Sequence, residues 1–190
     1  LMDHLKHEGR YRCLYANVEA AQAAREDVRR GMRAILSELG SMALDFLGDS
    51  FPEEHWPQVL EKVGEDAALN RLLTMWSDHS ERPLVLLLDE IDALVGDTLI
   101  SVLRQLRVGY PKRPRLFPQT VVLCGVRDVR DYRIHSDREK AIITGGSAFN
   151  IKAKSLRLGN FSRDEVTLLY RQHTEETGQV FEAATLELAW

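Results

Sequence analysis

Residues 84–94, LVLLLDEIDAL, constrain the fold more than any other stretch of this chain. Five consecutive apolar residues follow Pro83 and end on the acidic pair Asp89-Glu90. A continuous apolar run of that length, rather than an alternating one, suits a strand of a parallel sheet buried on both faces. Such a strand needs crossover helices on either side of the sheet, so the run predicts an α/β domain before any other residue is considered.

The rest of the chain is read around that strand. Residues 1–8 have the character of the last turns of a helix, with Gly9 as a left-handed C-cap. Residues 11–18 (YRCLYANV) form a second strand-like run. Residues 26–47 place Val28, Met32, Ile35, Leu36 and Leu39 on one helical stripe, which Gly31 and Gly40 weaken without breaking. Residues 49–52 (DSFP) carry turn chemistry, and two helical patches follow, ending near His79. A helix is expected after the acidic tip, to about Val108, then a Pro-rich and basic loop over 109–118. Residues 120–126 read as another buried strand and 127–154 as a polar loop with the Gly145-Gly146 pair. Residues 155–158 read as a short strand. Ser162-Arg163-Asp164-Glu165 fits a capping box opening a helix to Thr177, with Gly178 beyond it. Strands alternating with helices give a three-layer α/β arrangement. No internal repeat or low-complexity segment is present.

Charge is distributed unevenly along the 190 residues, whose net charge is -4. Residues 1–103 hold 10 basic and 19 acidic side chains, whereas residues 104–154 hold 12 and 4. The basic block either faces phosphate or forms a solvated surface balancing an acidic helical half. Its aromatics, Tyr110, Phe117, Tyr132 and Phe149, could stack on nucleic-acid bases, or anchor core and loop as such residues more often do. Cys13 and Cys124 sit in apolar runs without zinc or disulfide spacing and read as buried, reduced thiols of a cytoplasmic protein. No run approaches the length of a membrane span, so no membrane role is expected. The six histidines lack metal spacing, and Ser147 lies in no nucleophile elbow.

Chemistry concentrates at the end of the first strand. Open α/β sheets bind ligands at the carboxyl ends of their strands, and there this strand presents Asp89 and Glu90. Phosphoryl transfer uses two such carboxylates, one holding Mg²⁺ and one orienting or deprotonating the attacking water. Asp89 suits the first role, through water, and Glu90 the second. The same pair has an architectural reading as the end of a strand, with Asp92 capping the following helix.

This run resembles the Walker B motif of AAA-like and STAND-type P-loop ATPases, and the order of pieces after it is similar over essentially the whole chain. The fourth strand of those ATPases ends in a sensor arginine, often followed by Asp, and Arg127-Asp128 stands at that place. The resemblance therefore implies ATP and Mg²⁺ as cofactors of an intact ATPase that acts as a molecular switch, with Arg127 reaching the γ-phosphate beside the Asp89–Glu90 tip. Arg130 and Arg133 are weaker candidates. It further implies a sheet of order 5-1-4-3-2 over residues 1–160 and the beginning of a helical lid over 161–190.

One motif of that family is missing. None of the twelve glycines precedes lysine, so the 190 residues contain no GxxxxGK[ST] phosphate loop. The resemblance places that loop immediately before Leu1 and implies that strand 1 is absent here too. The chain alone is therefore expected to be inactive, as a truncated core. The alternatives are a nucleotide-independent interaction module or a nucleic-acid-binding fragment. Without strand 1, residues 121–123 would have an unpaired edge. Either residues 155–158, the expected strand 5, move in beside it, or a second copy of the chain associates there.

Overall fold

The computed structural model describes residues 1–126, 133–136, 138–144, 150 and 154–189. It is mixed α/β with a three-stranded parallel sheet, and the chain divides into two compact units, Leu1–Ala153 and Lys154–Trp190.

In the first unit, helix α1 (Met2–Glu8) ends at Gly9, whose φ of 67° gives the left-handed cap. Strand β1 (Arg12–Asn17) follows, then a 3-10 turn (Glu19–Ala24), α2 (Val28–Leu47), α3 (Phe51–Val63) and α4 (Ala68–His79). Strand β2 (Leu84–Asp89), a 3-10 turn (Ile91–Ala93), α5 (Gly96–Gly109), a 3-10 turn (Tyr110–Lys112) and β3 (Thr120–Leu123) complete the layered part. The sheet order is β1-β2-β3, all parallel, with Tyr15 opposite Leu87, Asn17 opposite Asp89 and Leu88 opposite Leu123. The three strands expected to be contiguous are contiguous, with the Leu84–Asp89 strand in the middle.

Parity along the strands separates two unequal faces. Leu14, Ala16, Leu84, Leu86 and Leu88 turn to the main core, together with Met32, Ile35, Leu36 and Leu39 of α2, Leu72, Leu73 and Trp76 of α4, and Leu99 and Leu103 of α5. Cys13, Val85 and Leu87 turn the other way, to a small cluster closed by Met2 and Leu5 of α1 with Tyr11 and Val122. The glycines of α2 lie where neighbours press closest. A Cβ on Gly40 would stand 2.9 Å from the Glu53 backbone of α3, and one on Gly31 would stand 2.5 Å from the Thr98 methyl of α5. The residues that weaken the helix locally are those that let its neighbours approach.

Several expectations are corrected. Helix α2 starts at Val28, where Asp27 accepts a hydrogen bond from the Arg30 amide (3.0 Å), and a 3-10 turn occupies the residues before it. Phe51 and Pro52 open α3 rather than forming a free turn, Pro suiting the first helical positions. The polar loop expected over 127–154 contains an antiparallel hairpin, β4 (Arg133–Ser136) and β5 (Ala141–Thr144). Its Ile134 and Ile143 join the main core, which draws this polar segment into pairing. The Ser136 hydroxyl donates to Asp97 Oδ1 at 2.5 Å and the Arg138 amide to Asp97 Oδ2 at 3.0 Å, tying the hairpin to the start of α5. Residues 155–158 are not a strand. Leu156 and Leu158 are exposed, and no ladder among the described residues includes them. Strand β3 has no strand on its outer side among the described residues.

The second unit holds α6 (Arg163–Thr177) and α7 (Ala183–Ala189), with the expected capping box at Ser162 and Gly178 at the far end. Tyr170 meets Phe181 edge to face at 4.7 Å, and Arg163 pairs with Glu187. Neither helix buries a residue.

Candidate functional site

Asp89 and Glu90 stand at the carboxyl end of β2, between the ends of β1 and β3. Asp89 is half-buried and fixed at both oxygens: Oδ1 accepts from the Glu90 amide (2.9 Å), and Oδ2 accepts from the Tyr15 hydroxyl (2.7 Å). Its backbone carbonyl accepts from the Val18 amide at 3.1 Å, which locks the end of β1 to the same point. Tyr15 reaches Asp89 because the register places it opposite Leu87, two residues back on the same face.

Glu90 is exposed and adopts a left-handed backbone, φ 56° and ψ 39°. The left-handed turn at Glu90 ends β2 and leaves its side chain exposed. The Ile91 amide donates to the Cys124 carbonyl (3.1 Å) and the Cys124 amide to the Leu88 carbonyl (2.9 Å), so the exits from β2 and β3 are laced together.

Asp92 does not cap the following helix. Its Oδ2 accepts from the Val126 amide at 2.7 Å, and its Oδ1 is buried with no hydrogen-bond partner among the described residues. Gly125 is close beneath it, since a Cβ there would lie 1.8 Å from Asp92 Oδ1. Asp92 thus anchors the backbone just before position 127. Arg127, Arg130 and the Gly145-Gly146 pair lie outside the described residues, as does the Arg133 side chain.

Electrostatics follow from the geometry. The hydrogen bond to Asp89 holds the Tyr15 phenol above its ordinary value, with burial and the Asp89 charge adding to it. Burial, and then the Asp89 charge, raise the Cys124 thiol. Cys124 is half-buried rather than fully buried as its apolar run suggested, while Cys13 is buried and its thiol is raised by that burial.

The donor set suits a hard divalent cation. Carboxylate oxygens keep acceptor capacity after one hydrogen bond each, and Mg²⁺ takes one or two carboxylates with water and phosphate completing its shell. No cluster of three or more His, Cys, Asp or Glu residues forms a metal cage among the described residues. Asp89 and Glu90 would thus supply part of the shell only.

Sequence reasoning missed Tyr15 and the Asp92–Gly125 contact. The signal for Tyr15 was available as a hydroxyl-bearing side chain on a strand adjacent to the Asp89 strand, but only the register reveals the reach. Four cations of the basic block are engaged within the fold. Arg104 pairs with Glu139 (2.6 Å), Arg138 with Asp66 (3.0 Å), Lys112 donates to Asn70 (2.8 Å), and Arg113 lies 3.6 Å over the Tyr110 ring. Phe117 is buried, leaving no face for a base.

A concavity of about 590 Å³ opens away from the carboxylate tip, at the amino end of β1. There Arg12 pairs with buried Asp49 (2.8 Å), which also accepts from Trp76 Nε1 (2.8 Å), and His55 and His79 stack on either side of Phe51. These groups already satisfy one another.

No helix among the described residues is long and apolar enough to cross a membrane. The chain is an α/β protein built on a three-stranded parallel sheet that ends in a paired carboxylate tip. No known family, curated protein or solved structure matches it.

Proposed function

We propose that this chain is the core of an AAA-like, STAND-type ATPase, with Asp89 as the Mg²⁺-holding carboxylate and Glu90 as the group that orients the attacking water. The observation that carries the reading is the division of labour at the tip. Asp89 is pinned by two donors, as a residue that must hold a fixed charge would be, whereas Glu90 projects into solvent from a left-handed turn. When bound, Mg²⁺ neutralises charge on the phosphate oxygens. Glu90 would accept a hydrogen bond from the water, and Arg127, following the anchored Val126 amide, would contact the γ-phosphate.

The 190 residues contain no GxxxxGK[ST], so they lack the amide cradle and lysine on which charge stabilisation depends. Isolated, they should bind Mg²⁺-ATP poorly and turn it over negligibly. In a chain carrying a phosphate loop, Glu90→Gln should abolish turnover and preserve binding. Robust Glu90-dependent turnover by the 190 residues, or loss of binding in the Gln variant, would sink the assignment of roles.

A second reading, a nucleotide-independent interaction module, is favoured by two features. One is the same missing motif. The other is the outer edge of β3, through which a second copy could pair. The nucleic-acid reading is weakened because Arg104, Lys112, Arg113 and Arg138 of the basic block bond within the chain.

A further inference from the structure

We propose that Tyr15 is a positioning residue for the cation site: its hydroxyl fixes Asp89 in the rotamer that presents a carboxylate lone pair to a divalent cation. This rests on the reading of Asp89 as the cation-holding group.

Asp89 has two side-chain torsions, and two separate donors remove both freedoms. The Glu90 amide holds Oδ1 from the chain's own turn, while Tyr15 holds Oδ2 from the neighbouring strand. A single local bond would leave the carboxylate free to swing about it. A bond from β1 ties its orientation to the sheet, the most rigid element nearby.

Packing accounts poorly for a tyrosine at this position. The side chain is 37% exposed, whereas Cys13, two residues earlier on the same face, is 2% exposed. Most of what Tyr15 contributes beyond its ring is the 2.7 Å bond to Asp89. Outer partners that orient a metal-ligating carboxylate commonly matter ten- to a hundredfold in affinity.

The test uses Mn²⁺ as the probe, its binding to the 190-residue chain read by electron paramagnetic resonance at millimolar concentrations. Wild type, Asp89→Asn and Tyr15→Phe are compared, with a melting temperature for each. Asp89→Asn should abolish specific uptake. Tyr15→Phe keeps the ring and should weaken uptake about tenfold, with Tm shifted by no more than about 2 °C.

If wild type and Asp89→Asn take up Mn²⁺ equally well, the functional reading fails, and Tyr15 loses its role with it; if wild type takes up none, the proposal alone is overturned, because the functional reading expects phosphate to complete the shell. If Asp89→Asn loses binding while Tyr15→Phe matches wild type, the proposal alone is overturned. It is also overturned if Tyr15→Phe loses affinity together with a large drop in Tm, since ring packing would then be the cause.

Discussion

Glu90 sits in a backbone conformation that a residue with a Cβ adopts at a cost of about 1 kcal/mol relative to glycine. Its side chain is exposed and makes no hydrogen bond or ion pair with the described residues, so the fold gains little from it. Glu90→Gly should therefore raise stability by up to about 1 kcal/mol, read as a higher urea midpoint with an unchanged slope. A lower midpoint would mean that the side chain supports the fold, and the strain would cease to argue for a role in chemistry. The sequence displays Asp89 and Glu90 as a pair but not their difference, because a left-handed turn at a glutamate has no local signature. The Asp92–Gly125 contact was hidden for a related reason. It joins the turn after β2 to the residues just beyond β3, so only the pairing of β2 with β3 makes it visible.

At the scale of elements, legibility followed the strength of the periodic signal. Strand β2 and the stripe of α2 declare themselves because burial on two faces or along one face leaves a pattern no other element shares. The β4–β5 hairpin did not, since Ile134 stands alone among Arg133, His135 and Ser136, β5 is only four residues long, and four charged residues (137–140) lie between the strands. Residues 155–158 show the opposite case: a short apolar alternation becomes a strand only beside a partner, and no ladder among the described residues includes them. The capping box of α6 was read correctly and makes a pH prediction. The Ser162 amide, and then its hydroxyl, hold the Glu165 carboxyl below its ordinary 4.5. A depressed acid contributes stability above its ordinary value and loses it as pH falls through the lowered one. The first turn of α6 should thus fray on acidification, seen as faster amide exchange at Glu165 and Val166. Glu165→Gln should remove that pH dependence, and equal fraying in both proteins would rule out the box as its source.

For the molecule as a whole, the decisive feature is that β3 ends the sheet without a partner on its outer side among the described residues. An unpaired run such as Val121-Val122-Leu123 is a template for another chain. The chain should self-associate with rising concentration in sedimentation velocity, and a strict monomer at about 100 μM, tight enough to detect even weak pairing, would exclude this route. The form of the assembly then depends on symmetry. All three strands run parallel, so two β3 edges related by a two-fold axis meet antiparallel, in the order β1-β2-β3-β3-β2-β1. Such an interface uses the same surface twice and closes at two copies. The other option, β3 of one copy against β1 of the next, is head-to-tail and has no natural end. A discrete dimer and an open filament are therefore two outcomes of one short edge, and which appears depends on whether the α1 side of β1 admits a neighbour.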